Sequence, residues 1–163
     1  MSNITKMKKL VVYFSQTGNT KRVAEIIAKE EKADVEEIKE VKKRYTGFGW
    51  MITAGAAAAR KKKSEIREVE YDPNDYDLIY IGTPVWAGKM VPALRTYLNE
   101  NKMNEKKIAL FSTSGGGKPG GTFESIKELV GDCKIVGELA VRDKEAKKGA
   151  EEKVKDWLAG IKA

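Results

Sequence analysis

Histidine is absent from this sequence. Its absence excludes Ser-His-Asp triads, imidazole acid–base chemistry and most zinc sites. Cysteine occurs once, at Cys133, so an internal disulfide is excluded; its neighbours suit a small residue entering a strand rather than a reactive thiol. No apolar run approaches the ~20 residues of a membrane span. The first nine residues are polar and basic with no apolar region behind them, so no secretory signal is expected. No reading helix, zinc module or aromatic platform is present, so nucleic acid is not an expected partner. Repeats and long linkers are missing as well. The 163 residues are read as one domain, 1–163, in the cytoplasm. With no histidine and no metal-ligand cluster, any reaction would fall to a bound cofactor.

What is present is an alternation of apolar runs and helical patterns. Leu10–Phe14, Ala33–Ile38, Leu78–Ile81, Ile108–Phe111 and Ile135–Val141 read as strands. Between and after them, four stretches place apolar residues three, four and seven apart. They contain Val23, Ile26 and Ile27; Val91, Leu94 and Leu98; Phe123, Ile126, Leu129 and Val130; and Val154, Trp157, Leu158 and Ile161. Alternating βα units imply a parallel sheet with helices on both faces. Ligands then bind beyond the carboxyl ends of the strands.

The first such end carries Ser15-Gln16-Thr17-Gly18-Asn19-Thr20, between the first strand and the first helix. The start of a helix has unpaired N–H donors and a partly positive dipole end. Ser15, Thr17 and Thr20 add hydroxyl donors and Asn19 an amide. Gly18 tolerates the positive φ of a tight bend. No Lys or Arg lies inside the loop, although Lys21 and Arg22 follow it. This is donor chemistry for a phosphate, and it is neither a Walker A motif nor a G-x-G-x-x-G turn.

The six residues resemble the FMN phosphate loop of flavodoxins, a Ser/Thr-x-Thr-Gly-x-Thr turn after the first strand. The resemblance implies an α/β fold: a flavodoxin-like three-layer sandwich around a five-stranded parallel sheet in the order 2-1-3-4-5. The short link Arg142-Asp143-Lys144 before the last helix is similar to that of short-chain members. A second loop, Gly82-Thr83-Pro84-Val85-Trp86-Ala87-Gly88-Lys89, resembles the family's loop along the isoalloxazine. By that resemblance Trp86 is the stacking candidate. The Ala87–Gly88 peptide is then a neighbour of flavin N5, able to turn its carbonyl on reduction. A third loop, Ser112-Thr113-Ser114-Gly115-Gly116-Gly117 continuing to Gly121, would bring main chain to the ring edge. Many flavodoxins place a stacking Tyr there. This sequence has none between Phe111 and Phe123, which leaves one flavin face open or covered by the Tyr45–Trp50 stretch.

The segment from Lys39 to Arg67 exceeds a minimal crossover. Its alanine-rich middle, Trp50 to Arg60, reads as a helix. It would cover one sheet face, or its basic, aromatic lead-in would dock a partner or a membrane surface. The net charge of +7 favours acidic docking faces on redox partner proteins, acidic substrates or peripheral membrane contact. The flavin loops contain Lys89 and Lys118 and no carboxylate, which predicts a second reduction step less negative than in acidic flavodoxins. Three functions fit. The first is an FMN electron carrier between redox partners. The second is a flavin-dependent reductase or dehydrogenase acting on a quinone or similar acceptor, including a protoporphyrinogen-oxidase-like activity. The third is a binding module of the same fold without flavin. The expected cofactor is FMN, with no catalytic side chain and no metal.

Overall fold

Strand β1 (Lys9–Tyr13) sends Leu10 and Val12 to one side and Val11 and Tyr13 to the other, and all four are buried. A strand apolar on both faces must lie inside a sheet covered on both sides. The computed structural model describes residues 5–41 and 64–161, and it shows that arrangement. After β1 come helix α1 (Asn19–Glu31), strand β2 (Asp34–Glu37), a short 3₁₀ turn (Pro73–Asp75) and β3 (Leu78–Trp86). Then follow β4 (Lys89–Met90), α2 (Pro92–Glu100), β5 (Lys107–Ser114), α3 (Thr122–Val130) and β6 (Lys134–Arg142). The short helix α4 (Asp143–Lys147) and α5 (Glu151–Gly160) close the chain.

The long strands run parallel in the order β2-β1-β3-β5-β6, and β4 pairs antiparallel with the end of β3. Apart from that two-residue addition, this is the expected 2-1-3-4-5 order. On one face Val12, Ile79, Ile81, Ile108 and Leu110 pack against Leu94, Tyr97 and Leu98 of α2 and Phe123, Ile126 and Val130 of α3. On the other, Val11, Tyr80, Ala109 and Phe111 meet Val23, Ala24 and Ile27 of α1 and Val154 and Leu158 of α5. Burying each large aliphatic side chain contributes roughly 1.5–3 kcal/mol. Cys133 immediately precedes β6, half-buried, and its thiol donates to the Met103 carbonyl.

Three sequence expectations need correction or delimiting. Strand β3 does not end at Gly82. Its ladder with β5 continues through Thr83↔Ser112 and Pro84↔Thr113, and Val85 and Trp86 then pair with Met90 and Lys89. The link after β6 is not bare chain but the five-residue helix α4. The expected helix at 50–60 and the Tyr45–Trp50 cover lie outside the described residues. The ends of that segment are described: Val41 N–H donates to the Glu65 carbonyl at 2.9 Å and Arg67 N–H to the Lys39 carbonyl at 2.7 Å. Thr96 of α2 holds the returning end, accepting the Ser64 N–H at 3.0 Å and donating to the Ser64 carbonyl at 2.6 Å.

Gly82 is fixed by space. A Cβ there would stand 2.1 Å from Cζ of the buried Phe111 ring on β5. Gly116 has nothing within 4 Å of its would-be Cβ. Gly82→Ala is therefore expected to cost about 3 kcal/mol, the upper end for overpacking a rigid core, while Gly116→Ala stays within ~0.5 kcal/mol. Urea unfolding of the two variants checks this; equal midpoints would refute the packing account.

Candidate functional site

The parallel order places the ends of β1, β3 and β5 side by side, so the three candidate loops meet at the carboxyl edge of the sheet. Loop one is a tight wrap around Ser15. The Ser15 hydroxyl oxygen accepts from Gly18 N–H at 3.1 Å and Lys21 N–H at 3.2 Å. Gly18 is the helix N-cap with φ +94°, a conformation that side chains rarely adopt. Arg22 N–H returns to the Gly18 carbonyl at 3.1 Å. Among the first four N–H groups of α1, those of Asn19 and Thr20 meet no acceptor among the described residues. These are the donors that an anion at a helix start would take.

The side chains divide their tasks. Thr17 is exposed, Ser15 and Gln16 half-buried, and Asn19 and Thr20 buried. Arg22 leans back toward the helix start, as helical side chains do, and its Nη1 donates to Asn19 Oδ1 at 3.2 Å. That bond turns the Asn19 amide nitrogen away from Arg22. Thr20 Oγ1 lies 2.8 Å from Thr113 Oγ1, a buried bond between loop one and the end of β5.

The second candidate loop is a strand end and a hairpin. Ala87 and Gly88 are its two central residues, with φ of +50° and +71°. Two positive φ values at a two-residue connection mark a type I′ turn, whose twist suits paired strands. Ala87 is exposed, whereas Pro84, Val85 and Gly88 are half-buried. Thr83 is fully buried and its hydroxyl donates to the Pro84 carbonyl at 2.7 Å. Trp86, read in the sequence as a stacking face, is 6 % exposed and packs edge-on to Phe14 with ring centroids 5.8 Å apart. Its position is in the core beneath the hairpin.

In the third loop, Ser112 and Thr113 are buried strand residues and Ser114 opens a turn. Gly117 N–H donates to the Ser114 carbonyl at 3.3 Å, and the Ser114 hydroxyl accepts the Lys118 N–H at 3.1 Å. Gly115 and Gly116 project into solvent. Gly121 N–H donates to the Gly88 carbonyl at 2.7 Å, and a Cβ on Gly120 would stand 2.7 Å from that same oxygen. Hairpin and third loop are thus one unit. The buried hydroxyls of Ser112 and Thr122 meet no partner among the described residues.

Two contributions escaped the sequence reading, the tie made by Gly120–Gly121 and the place of Arg142. Gly120–Gly121 ties the loops together, and nothing local in a glycine run distinguishes that pair. Arg142, read only as link, lays its stem over Gly117: a Cβ there would meet Arg142 Cγ at 2.5 Å. Its place at the end of a strand was the available signal. The rim of this edge therefore carries Arg22, Lys89, Lys118 and Arg142. Among the described residues no group of His, Cys, Asp or Glu is suited to hold a metal ion, and no helix is long and apolar enough to cross a membrane.

The donor set suits a phosphate ester on loop one, with a planar group lying toward the hairpin and third loop. Comparison with known proteins shows the family. Residues 8–161 match the flavodoxin family's sequence profile, so the chain belongs to the flavodoxin family. It is 29 % identical over 157 residues to the flavodoxin-like domain-containing protein BilS of Clostridioides difficile, covering 93 % of this chain and 74 % of that protein. A flavoprotein from Lactobacillus acidophilus NCFM, solved in complex with FMN, is 27 % identical with a TM-score of 0.72, covering 93 % of this chain and 99 % of that one. A protein from Bacteroides eggerthii shares the fold at 22 % identity and a TM-score of 0.76, with 96 % of this chain and 98 % of that one covered.

Glu145 secures the Arg142 corner. It accepts the Arg142 N–H and the Lys153 ammonium, each at 3.2 Å. The backbone bond first, and Lys153 second, hold its carboxyl below the ordinary value of 4.5. A lowered folded pKa stabilises above the unfolded value and loses that contribution as pH falls through the folded one. In urea unfolding, the stability difference between wild type and Glu145→Gln should be present at pH 7 and shrink progressively below about pH 4.5. A difference constant down to pH 3 would contradict this role.

Proposed function

From this chain's place in the flavodoxin family we propose that it binds FMN and passes electrons between redox partners. One observation carries the reading: the phosphate-type loop at 15–20 and the ring-edge loop at 112–117 converge on the Thr20–Thr113 bond at the carboxyl edge of the sheet. The loop-one N–H groups of Asn19 and Thr20 and the nearby hydroxyls would hold the phosphate. The Ala87–Gly88 turn and the glycines at 115–117 would approach the isoalloxazine. Bound there, FMN supplies one- and two-electron chemistry.

The side chains favour a carrier over a proton-transferring enzyme. The three loops hold hydroxyls, amides, glycines and lysines, and no carboxylate or imidazole to exchange protons with a substrate near neutral pH. The quinone-reductase reading remains the alternative, and direct kinetics separate the two. Anaerobic reductive titration of the FMN-loaded protein should show stepwise uptake of two electrons per flavin, with slow direct reduction by NAD(P)H. Rapid NAD(P)H oxidation with quinone turnover would favour the reductase. Failure to retain FMN after incubation would leave only a flavin-free binding module.

The cationic rim adds two expectations. Positive charge beside the ring stabilises the fully reduced, anionic flavin. Lys118→Glu should therefore make the second couple more negative in redox titration, and an unchanged couple would refute the effect of that charge. Docking would favour partners with acidic faces. Its association rate should fall as salt rises, because exposed charges are screened within about 8 Å at physiological ionic strength.

A further inference from the structure

Counting protons on the Thr20–Thr113 pair gives a result that neither residue gives alone. Each residue is 1 % exposed, and their hydroxyl oxygens are 2.8 Å apart. Two hydroxyls carry two protons, and one hydrogen bond between them uses one. No other acceptor for either hydroxyl is found among the described residues. One O–H is therefore buried without an acceptor, an arrangement that is unfavourable until something accepts it. A threonine hydroxyl in a helix commonly turns back to a carbonyl one turn earlier. Thr20 instead reaches across to β5.

The direction of the shared bond decides where the spare proton points. If Thr113 donates, the proton left over belongs to Thr20, in the loop whose Asn19 and Thr20 N–H groups also lack acceptors. An anion there collects all three donors, and a hydroxyl that already accepts a hydrogen bond is polarised into a stronger donor. If Thr20 donates, the proton is stranded on Thr113, where nothing in the described structure meets it. The anion selects the first arrangement.

We propose that Thr113 is a positioning residue for the phosphate of the bound cofactor. It donates to Thr20 Oγ1 and so aims the Thr20 proton at a phosphate oxygen. The inference rests on the FMN reading above and assigns a phosphate task to a residue placed by sequence in the ring-edge loop. Other hydroxyls of the edge have different positions: the Ser15 oxygen accepts from two N–H groups and keeps its own proton to donate, and Thr83 donates to the Pro84 carbonyl.

The test uses fluorescence titration of the apo-protein with FMN and with riboflavin, which lacks the phosphate. Thr113→Val keeps the shape and removes the donor. It should weaken FMN roughly tenfold, the scale of one hydrogen bond to a charged group, and leave riboflavin unchanged. Thr113→Ser should restore FMN binding. On a Thr20→Val background, Thr113→Val should have no further effect, because its action runs through Thr20. FMN affinity unchanged in Thr113→Val, or FMN and riboflavin weakened equally, would overturn the proposal while leaving the FMN reading in place. Wild-type protein that binds no FMN would overturn both.

Discussion

The constraint on which this molecule depends is that a parallel sheet must be covered on both faces. Strand β1 is apolar on each side, and so are β3 beside it and β5 beyond β3. Helices α1 and α5 take one face, and α2 and α3 the other. With both faces committed to packing, the ends of the strands are left for ligand chemistry. The sheet order brings the ends of β1, β3 and β5 together, so loops separated by tens of residues become neighbours. The close approach of Gly82 to Phe111 belongs to the same economy: β3 carries no side chain where the adjacent ring needs the room.

Much of this was legible in the sequence, for physical reasons. Central strands of a parallel sheet read as continuous apolar runs, and Leu10–Phe14 and Leu78–Ile81 are such runs. The helices show themselves by apolar spacing, because each buries a single stripe. Loop one was legible because its chemistry is local: hydroxyls, glycine, amide and helix start follow one another within six residues. The hairpin at 84–90 was not, since Pro84 argues against a strand and the ladder that continues through it lies with β5. Helix α4 is too short to show a period.

The site was less legible where it depends on distance. Thr20 and Thr113 are 93 positions apart, and neither residue type announces a partner. Trp86 shows the reverse problem. Its neighbours Thr83 and Pro84 placed it in the second candidate loop, but the turn of the pleat that decides whether its ring faces solvent or Phe14 is a tertiary matter. Arg142 sits at the loops because β6 is register-paired with β5 as far as Ser114↔Arg142. In the proposed reading, neutral dipoles would hold the phosphate, and the positive charge lies on Arg22, Lys89, Lys118 and Arg142 at the rim. Dipoles held by backbone geometry need no reorganisation on binding, whereas the rim charges sit on long side chains and are open to screening by salt.

The hydrogen-bonded base formed by Lys39, Val41, Glu65 and Arg67 has a further meaning. The two described ends of the crossover are held together at one pinched point, and the returning end is tied to α2 through Thr96. Because the two ends are already together, the entropy of closing whatever lies between them grows only with the logarithm of its length. In chain-entropy terms alone, adding or removing residues between the two ends therefore changes the cost of closure little.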